Sequence, residues 1–265
     1  MLSVIQTFRR FIGRVLDIST IFDHKLASDE SLLLNPFSFD TGQGLLTASE
    51  TIIIFGCWEG DSRRSTEIRG LIGELSLHWP VISVMNVDNH NYDDSKNTNY
   101  ITFQRRNLGR DLAAFRDVIR VTKSKLSKKN IVWINSSAVW DSNRLISLIT
   151  NLENSKTKKV VSMTDSWLGG YHLQSFFLFI GNEVSEGFME VVSSNFLRNW
   201  RNKRTVVHRG ERELTRKILA AGISVEAIYS TRLLFPNQYK WINSYTHGSK
   251  ELYAQDPPFR KSNSS

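Results

Sequence analysis

Residues 130–152, NIVWINSSAVWDSNRLISLITNL, decide the fold. NIVWINSSAVW opens as a β-branched and aromatic run, which predicts a buried strand, and Asn135, Ser136 and Ser137 fall at its end. DSNRLISLITNL then carries apolar residues at helical spacing, with Asp141 placed as the N-cap. A strand, a polar loop and a capped helix thus follow within one short stretch.

The same unit recurs outward in both directions. TIIIFGCWEGD (51–61) reads as a buried strand running into a loop, and STEIRGLIGELSLHW (65–79) as a helix with Ile68, Leu71, Ile72 and Leu75 on one face. PVISVMNVD (80–88) is a second strand, and NHNYDDSKNTN (89–99) a loop by its Asn and Asp content. YITFQR is a third strand leading into RNLGRDLAAFRDVIRVTKSKL, a loop and then a helix; KVVSMTD (159–165) is a fifth strand. Alternation of this kind predicts an α/β fold, a mostly parallel sheet with helices on both faces. Ligands in such sheets bind beyond the carboxyl ends of the strands, at the loops that start at Gly56, Asp88, Arg105, Asn135 and Asp165.

At 265 residues the chain suits one large domain with appendages. The expected divisions are an amphipathic helix and connector over 1–48, the α/β domain over 49–250 and a disordered tail over 251–265. The net charge of +8 favours an anionic partner. Nucleic acid is not that partner, since no groove-reading helix or single-strand stacking motif accompanies the charge. A single cysteine, Cys57, excludes an intrachain disulfide and a cysteine-built zinc site, and fits a reducing compartment. No span is apolar enough to cross a bilayer. Residues 1–18 form a basic amphipathic pattern, with Ile5, Phe8, Phe11, Ile12, Val15 and Leu16 interleaved with Arg9, Arg10 and Arg14. Such a helix either packs on the body of the protein or lies peripherally on a membrane. The expected location is the cytoplasm, with the inner face of the cell membrane as the peripheral variant.

Four constellations carry candidate chemistry. In RRNLGRDLAAF, Gly109 allows a tight turn, and Arg105, Arg106 and Arg110 bring cations to a helix N-terminus, a fit for a diphosphate. The competing reading has Asp111 cap the helix and pair locally with an arginine. Asn135, Ser136 and Ser137 are neutral; they can hydrogen-bond a sugar or phosphate, or simply form a turn, but make a poor shell for a divalent ion. HRGERELTRKILAAGISV predicts a helix with a stripe of Leu214, Ile218 and Leu219, closed by Gly222. Glu211 and Glu213 lie in its first turn, where acids are ordinary dipole partners and where one facing a cleft is a general base. In TDSWLGGYHLQSFFLFIG (164–181) an apolar strand begins with Tyr171, His172, Gln174 and Ser175. Period-two alternation places His172 and Gln174 on one face and Tyr171 and Ser175 on the other, one pair walling a pocket. His24, His78, His90 and His247 show no ligand spacing.

NLGRDLAAF, IVWINSSAVW, VVSMTDSWLGGYHLQSFFLFI and ERELTRKILAAG, in this order over roughly 50–230, resemble the rhamnan synthesis protein F family of bacterial cell-surface polysaccharide assembly. The resemblance implies a GT-A-type nucleotide-sugar fold and a hexosyltransferase. It would move a sugar, rhamnose or another deoxysugar, from a nucleotide-sugar donor to a glycan acceptor, lipid-linked in one variant. It implies Asn107, Gly109, Arg110, Asp111, Asn135 and Ser137 at the donor, and Asp165, Tyr171, His172, Gln174 and Ser175 at the substrate. The family's late-helix acid stands eleven residues before its glycine, which selects Glu211 over Glu213 as the catalytic base. Family members commonly read Asn-Asp-Ser where this chain reads Asn135-Ser136-Ser137, so the acid expected to hold a Mn or Mg ion is absent. Catalysis without metal, Asp165 as a substitute ligand, and a non-catalytic glycan- or nucleotide-binding relative all follow as readings.

Overall fold

The computed structural model describes residues 28, 31–33, 44, 46–58, 62–87, 100–106, 110–200, 202, 205–237, 239–240 and 250–261. Its centre is a sheet of strands β1 (Thr51–Trp58), β2 (Val81–Val87), β3 (Tyr100–Arg106), β4 (Asn130–Asn135), β6 (Val160–Ser166), β7 (His172–Leu173), β8 (Phe177–Ile180) and β9 (Val225–Tyr229). The spatial order is β3-β2-β1-β4-β8-β6-β7, with β9 also paired to β6. β1, β2, β3 and β4 pair in parallel, as do β6 and β9, while β8 runs antiparallel between β4 and β6. Two antiparallel steps restore the direction, so β6 and β9 point the same way as β4. The carboxyl ends of β1, β2, β3, β4, β6 and β9 therefore share one edge of the sheet, and β8 starts from that edge.

Helices cover both faces, as expected. On one side lie α1 (Ser62–Ser76) and α3 (Ser142–Asn154), whose Ile68, Ile72, Leu75, Leu145 and Ile149 pack on Ile53, Phe55, Val132 and Phe179. Asp141 caps α3 as its position predicts, its carboxylate accepting from the Arg144 amide at 3.1 Å. On the other side lie α2 (Arg110–Leu126), α4 (Ser185–Ser193) and α5 (Arg212–Ala220), packed on Ile52, Ile54, Trp133 and Leu178. Trp133 is fully buried and stacks on Phe115 at 4.5 Å. Gly222, at φ +76°, ends α5: its amide bonds to Leu219 O and that of Ile223 to Ile218 O, the two bonds of a Schellman turn.

Three expectations need correction. The tail is not disordered from 251: Lys250–Ala254 form a helix, α7, and Phe259–Lys261 a strand, β10, paired antiparallel with β5 (Ala138–Trp140). Leu252 and Phe259 are buried, and they supply the apolar burial that the polar composition hides. Second, the connector reaches the sheet before residue 49. Leu33 bridges Arg105, the Leu32 amide donates to Asp117, and Asn199 holds Ser28 through its backbone and side chain. Third, Arg105 is not a surface cation. It is fully buried and donates to Asp117 (2.9 Å), Asn86 (3.3 Å) and Asn199 (2.7 Å). Burial pulls its guanidinium below the usual value, while Asp117 opposes that shift. The expected amphipathic helix over 1–18 lies outside the described residues. Among those described, no helix is long and apolar enough to cross a membrane.

Candidate active site

Strand β8 does not extend back to Tyr171. The regular ladder lapses over Gln174–Phe176: Gln174 and Phe176 keep backbone bonds to Thr164 of β6 and Asn135 of β4, while the Ser175 peptide groups turn to side chains. The Ser175 carbonyl accepts from the Trp133 indole (2.8 Å), the Phe176 carbonyl from the Asn135 amide (3.1 Å), and the Ser175 amide donates to Glu211 (3.1 Å). This kink overrides the two-residue alternation expected over 171–175. His172, Gln174 and Ser175 are all buried.

Glu211 comes to the kink from the opposite wall. Residues Val206–Glu211 form a π-helical turn that runs straight into α5, so Glu211 lies inside a continuous helical segment and not at its beginning. Its Oε1 accepts both from the Ser175 amide and from the Ser175 hydroxyl at 2.7 Å. Its Oε2 stands 3.9 Å from His172 Nε2, outside hydrogen-bond range. The backbone is fixed as well: Thr215 Oγ donates to the Glu211 carbonyl (3.0 Å) and accepts from the Leu173 amide (3.0 Å). The Glu211 side chain keeps 14% of its surface exposed, so it is held by protein without being fully buried. Glu213 has a different character. It is paired with Arg216 (2.9 Å from Nε), the main cause holding its carboxyl below the usual range, with Lys217 4.0 Å away.

A second group of expected residues meets at the end of β4. Asn135 donates to Asp111 (2.9 Å) and accepts from the amide (3.0 Å) and hydroxyl of Ser137, which makes a tight turn. Its backbone bond to Phe176 joins this group to the Ser175 kink. Asn107, Gly109 and the Arg110 side chain lie outside the described residues. Gln174 is turned inward, accepting from Thr164 through its side chain and from Ser162 through its carbonyl (2.8 Å).

Asp165 is buried and committed. Its carboxylate accepts from Ser230 Oγ (3.0 Å) and the Thr231 amide (2.6 Å), and its carbonyl from Thr231 Oγ (2.6 Å). Those bonds start the short helix Thr231–Leu234, α6. Among the described residues no group of three or more His, Cys, Asp or Glu side chains is placed to hold a metal ion. Ser136 offers only a neutral hydroxyl.

Tyr171 is half-buried beside Trp167, with ring centroids 4.9 Å apart, and Trp167 meets Tyr239 edge-on at 5.1 Å. Desolvation, with smaller effects of the Asp165 and Glu226 carboxylates, pushes the Tyr171 phenol up to about 12. The reading of the sequence did not single out Trp167, Thr215, Ser230 or Thr231. Thr215, four residues after Glu211 on one helix, carried a signal in its spacing; the others carried none.

No protein-family model matches this chain. The "Uncharacterized protein y4gN" of Sinorhizobium fredii (strain NBRC 101917 / NGR234) is 25% identical over 168 residues, 59% of this chain and 42% of that protein. The chain thus matches less than half the length of that relative. Among solved structures, a Desulfovibrio desulfuricans G20 protein assigned as a nucleotide-diphospho-sugar transferase aligns at a TM-score of 0.43 and 11% identity. That alignment covers 78% of this chain and 95% of that one. The glycosyltransferase GlyE of Streptococcus pneumoniae TIGR4 aligns at 0.40 and 10%, covering 78% and 51%. Neither score reaches 0.5, and neither assigns this chain an activity.

Proposed function

We propose that this chain is a glycosyltransferase with a GT-A-like fold, moving a sugar from a nucleotide-sugar donor to a glycan acceptor, with Glu211 as general base. The observation that carries the reading is Glu211, its carboxylate anchored through one oxygen by Ser175 and its side chain incompletely buried, at the carboxyl edge of a mostly parallel sheet. In an inverting reaction the acceptor hydroxyl attacks the anomeric carbon while Glu211 removes its proton, and the nucleoside diphosphate leaves. Ser175 keeps the carboxylate from rotating away, and the Asn135–Asp111 bond shapes the neighbouring loop. Rhamnose or another deoxysugar as the moved group, and a cell-surface polysaccharide as acceptor, lipid-linked or free, rest on the motif resemblance. Residence in the cytoplasm rests on the single cysteine, and peripheral contact at the inner membrane face on the basic amphipathic pattern of residues 1–18.

The experiment is a thermal-shift screen of nucleotide sugars, followed by transfer assays with the donor that binds. A ligand specific for the folded state adds about 2.7 kcal/mol at 100 times its dissociation constant. A stabilising donor that is then transferred supports the reading; no stabilisation by any nucleotide sugar overturns it. Binding without transfer favours the non-catalytic relative, which Ser136 in place of the family's acid motivates.

A further inference from the structure

We infer that His172 stores the proton that Glu211 removes, so that the base at this site is a carboxylate–imidazole pair with room for one proton. The inference rests on the reading of Glu211 as general base. His172 is 1% exposed, and its Nδ1 lies 2.9 Å from the Gly170 carbonyl. A carbonyl can only accept, so the hydrogen of the neutral ring sits on Nδ1 and Nε2 keeps a lone pair. That Nε2 is buried, has no hydrogen-bond partner among the described residues, and faces Glu211 Oε2 at 3.9 Å. Glu211 Oε1 is already occupied by both donors of Ser175, so Oε2 is the oxygen left for chemistry.

Two basic atoms therefore face each other across a gap about 1 Å wider than a hydrogen bond. Without a proton their lone pairs repel, which agrees with the separation. With one proton the gap closes into a charge-assisted bond in a poorly hydrated setting. Buried polar atoms are as a rule satisfied, so a bare Nε2 beside a carboxylate oxygen asks for an explanation. The surroundings keep the two partners next to each other. His172 is paired to Ser166 at the end of β6, Glu211 is tied to Leu173 through Thr215, and the Arg212 guanidinium packs against Gly170.

In the reaction the acceptor O–H bond breaks as its oxygen bonds to the anomeric carbon. The bond from that carbon to the diphosphate oxygen breaks with its electron pair leaving on the diphosphate. The proton passes to Glu211 Oε2 and on to His172 Nε2, giving an imidazolium beside an ionised carboxylate. It returns to water after product leaves. His172 touches neither donor nor acceptor in this scheme; it is a positioning residue that acts through Glu211.

Two measurements test the pair, and the first needs no donor. In ¹⁵N spectra of the full chain, the His172 ring (assigned by its loss in His172→Asn) should show hydrogen on Nδ1 and a bare Nε2. In Glu211→Gln the Nε2 signal should move, since the new amide can donate to it. Hydrogen on Nε2 with a bare Nδ1, or a spectrum indifferent to Glu211→Gln, overturns the inference. The second is transfer kinetics. His172→Asn keeps a donor near Gly170 but lacks Nε2, and should lower kcat about ten- to a hundredfold with donor KM within about twofold. Free imidazole should restore part of the rate of His172→Ala. A folded His172→Asn with the parent kcat overturns the inference. If the spectra behave as stated but no donor is ever transferred, the pair stands and the transferase reading falls.

Discussion

Ser175 gives Glu211 both of its donors, the amide at 3.1 Å and the hydroxyl at 2.7 Å, and both reach the same carboxylate oxygen, Oε1. Two donors on one oxygen restrict the carboxylate's rotation and leave its second oxygen on the His172 side. Ser175→Ala removes the hydroxyl bond alone. It should cost about 1.5–3 kcal/mol of stability, the range for a bond to a charged group. Turnover should fall about tenfold with donor affinity unchanged, because the carboxylate gains freedom to swing. Melting curves beside transfer kinetics check this; unchanged kcat would show that the Oε1 anchor is only structural.

The two acids of the late helix should separate cleanly. Glu211→Gln keeps shape and most hydrogen bonding but removes the basic oxygen, so turnover should drop on the order of a hundredfold or more while donor binding holds. Glu213 sits on the Arg216 side of the helix with 30% of its side chain exposed. Glu213→Gln should shift stability by no more than about 0.5 kcal/mol and leave transfer intact. The reverse pattern of activities would assign the chemistry to Glu213.

Asp165 offers a third test. Asp165→Ala leaves the Ser230 hydroxyl and Thr231 amide without their acceptor and should destabilise by about 2–3 kcal/mol. Asp165→Asn keeps one oxygen and should lose less. Calorimetric titration with Mn should read the same for parent and Asp165→Asn, and transfer should persist in EDTA. Mn binding that disappears in Asp165→Asn would make this carboxylate a ligand after all.

Alkaline pH gives the fourth. The Tyr171 phenol, pushed up to about 12, holds its proton where an unfolded tyrosine, near 10, has lost it. Between those values the folded chain binds more protons than the unfolded one, so stability falls as pH rises. The contribution is complete below about pH 10 and gone above about pH 12. Phenolate absorbance should show a late-titrating fraction among the seven tyrosines, and Tyr171→Phe should diminish it.

Strands β1, β2, β3, β4, β6 and β8 were legible as apolar runs ended by Gly, Asn or Asp, and the helices because their apolar residues recur at the right period; the short β5, β7 and β10 and the half-buried β9 lack such a run. The place of β8 was not legible. Its position between β4 and β6 depends on contacts far apart in sequence, such as the Trp133 indole on the Ser175 carbonyl. The kink at Gln174–Phe176 hid for the same reason, since Glu211 lies 36 residues from the serine it meets. Arg105 read as a surface cation because its charge is local information while its partners Asp117, Asn86 and Asn199 are not. Glu211 was preferred to Glu213 on the motif resemblance, which places the acid eleven residues before Gly222, the glycine whose positive φ ends the helix.

The strand Phe259–Lys261 bears on when the site can form during synthesis. It pairs with Ala138–Trp140, Pro258 O accepts from the Asp141 amide, and Phe259 packs on Trp140 and Phe176, which flank the Asn135 turn and the Ser175 kink. A chain leaving the ribosome exposes Trp140 and Phe176 more than eighty residues before it supplies the ring that covers them. At about 5–20 residues per second that interval lasts several seconds. The central sheet can assemble in that time, but the wall behind the candidate site stays unsealed until Phe259 emerges. A nascent chain stalled before that residue should be sticky and inactive together, and both properties should change at one length.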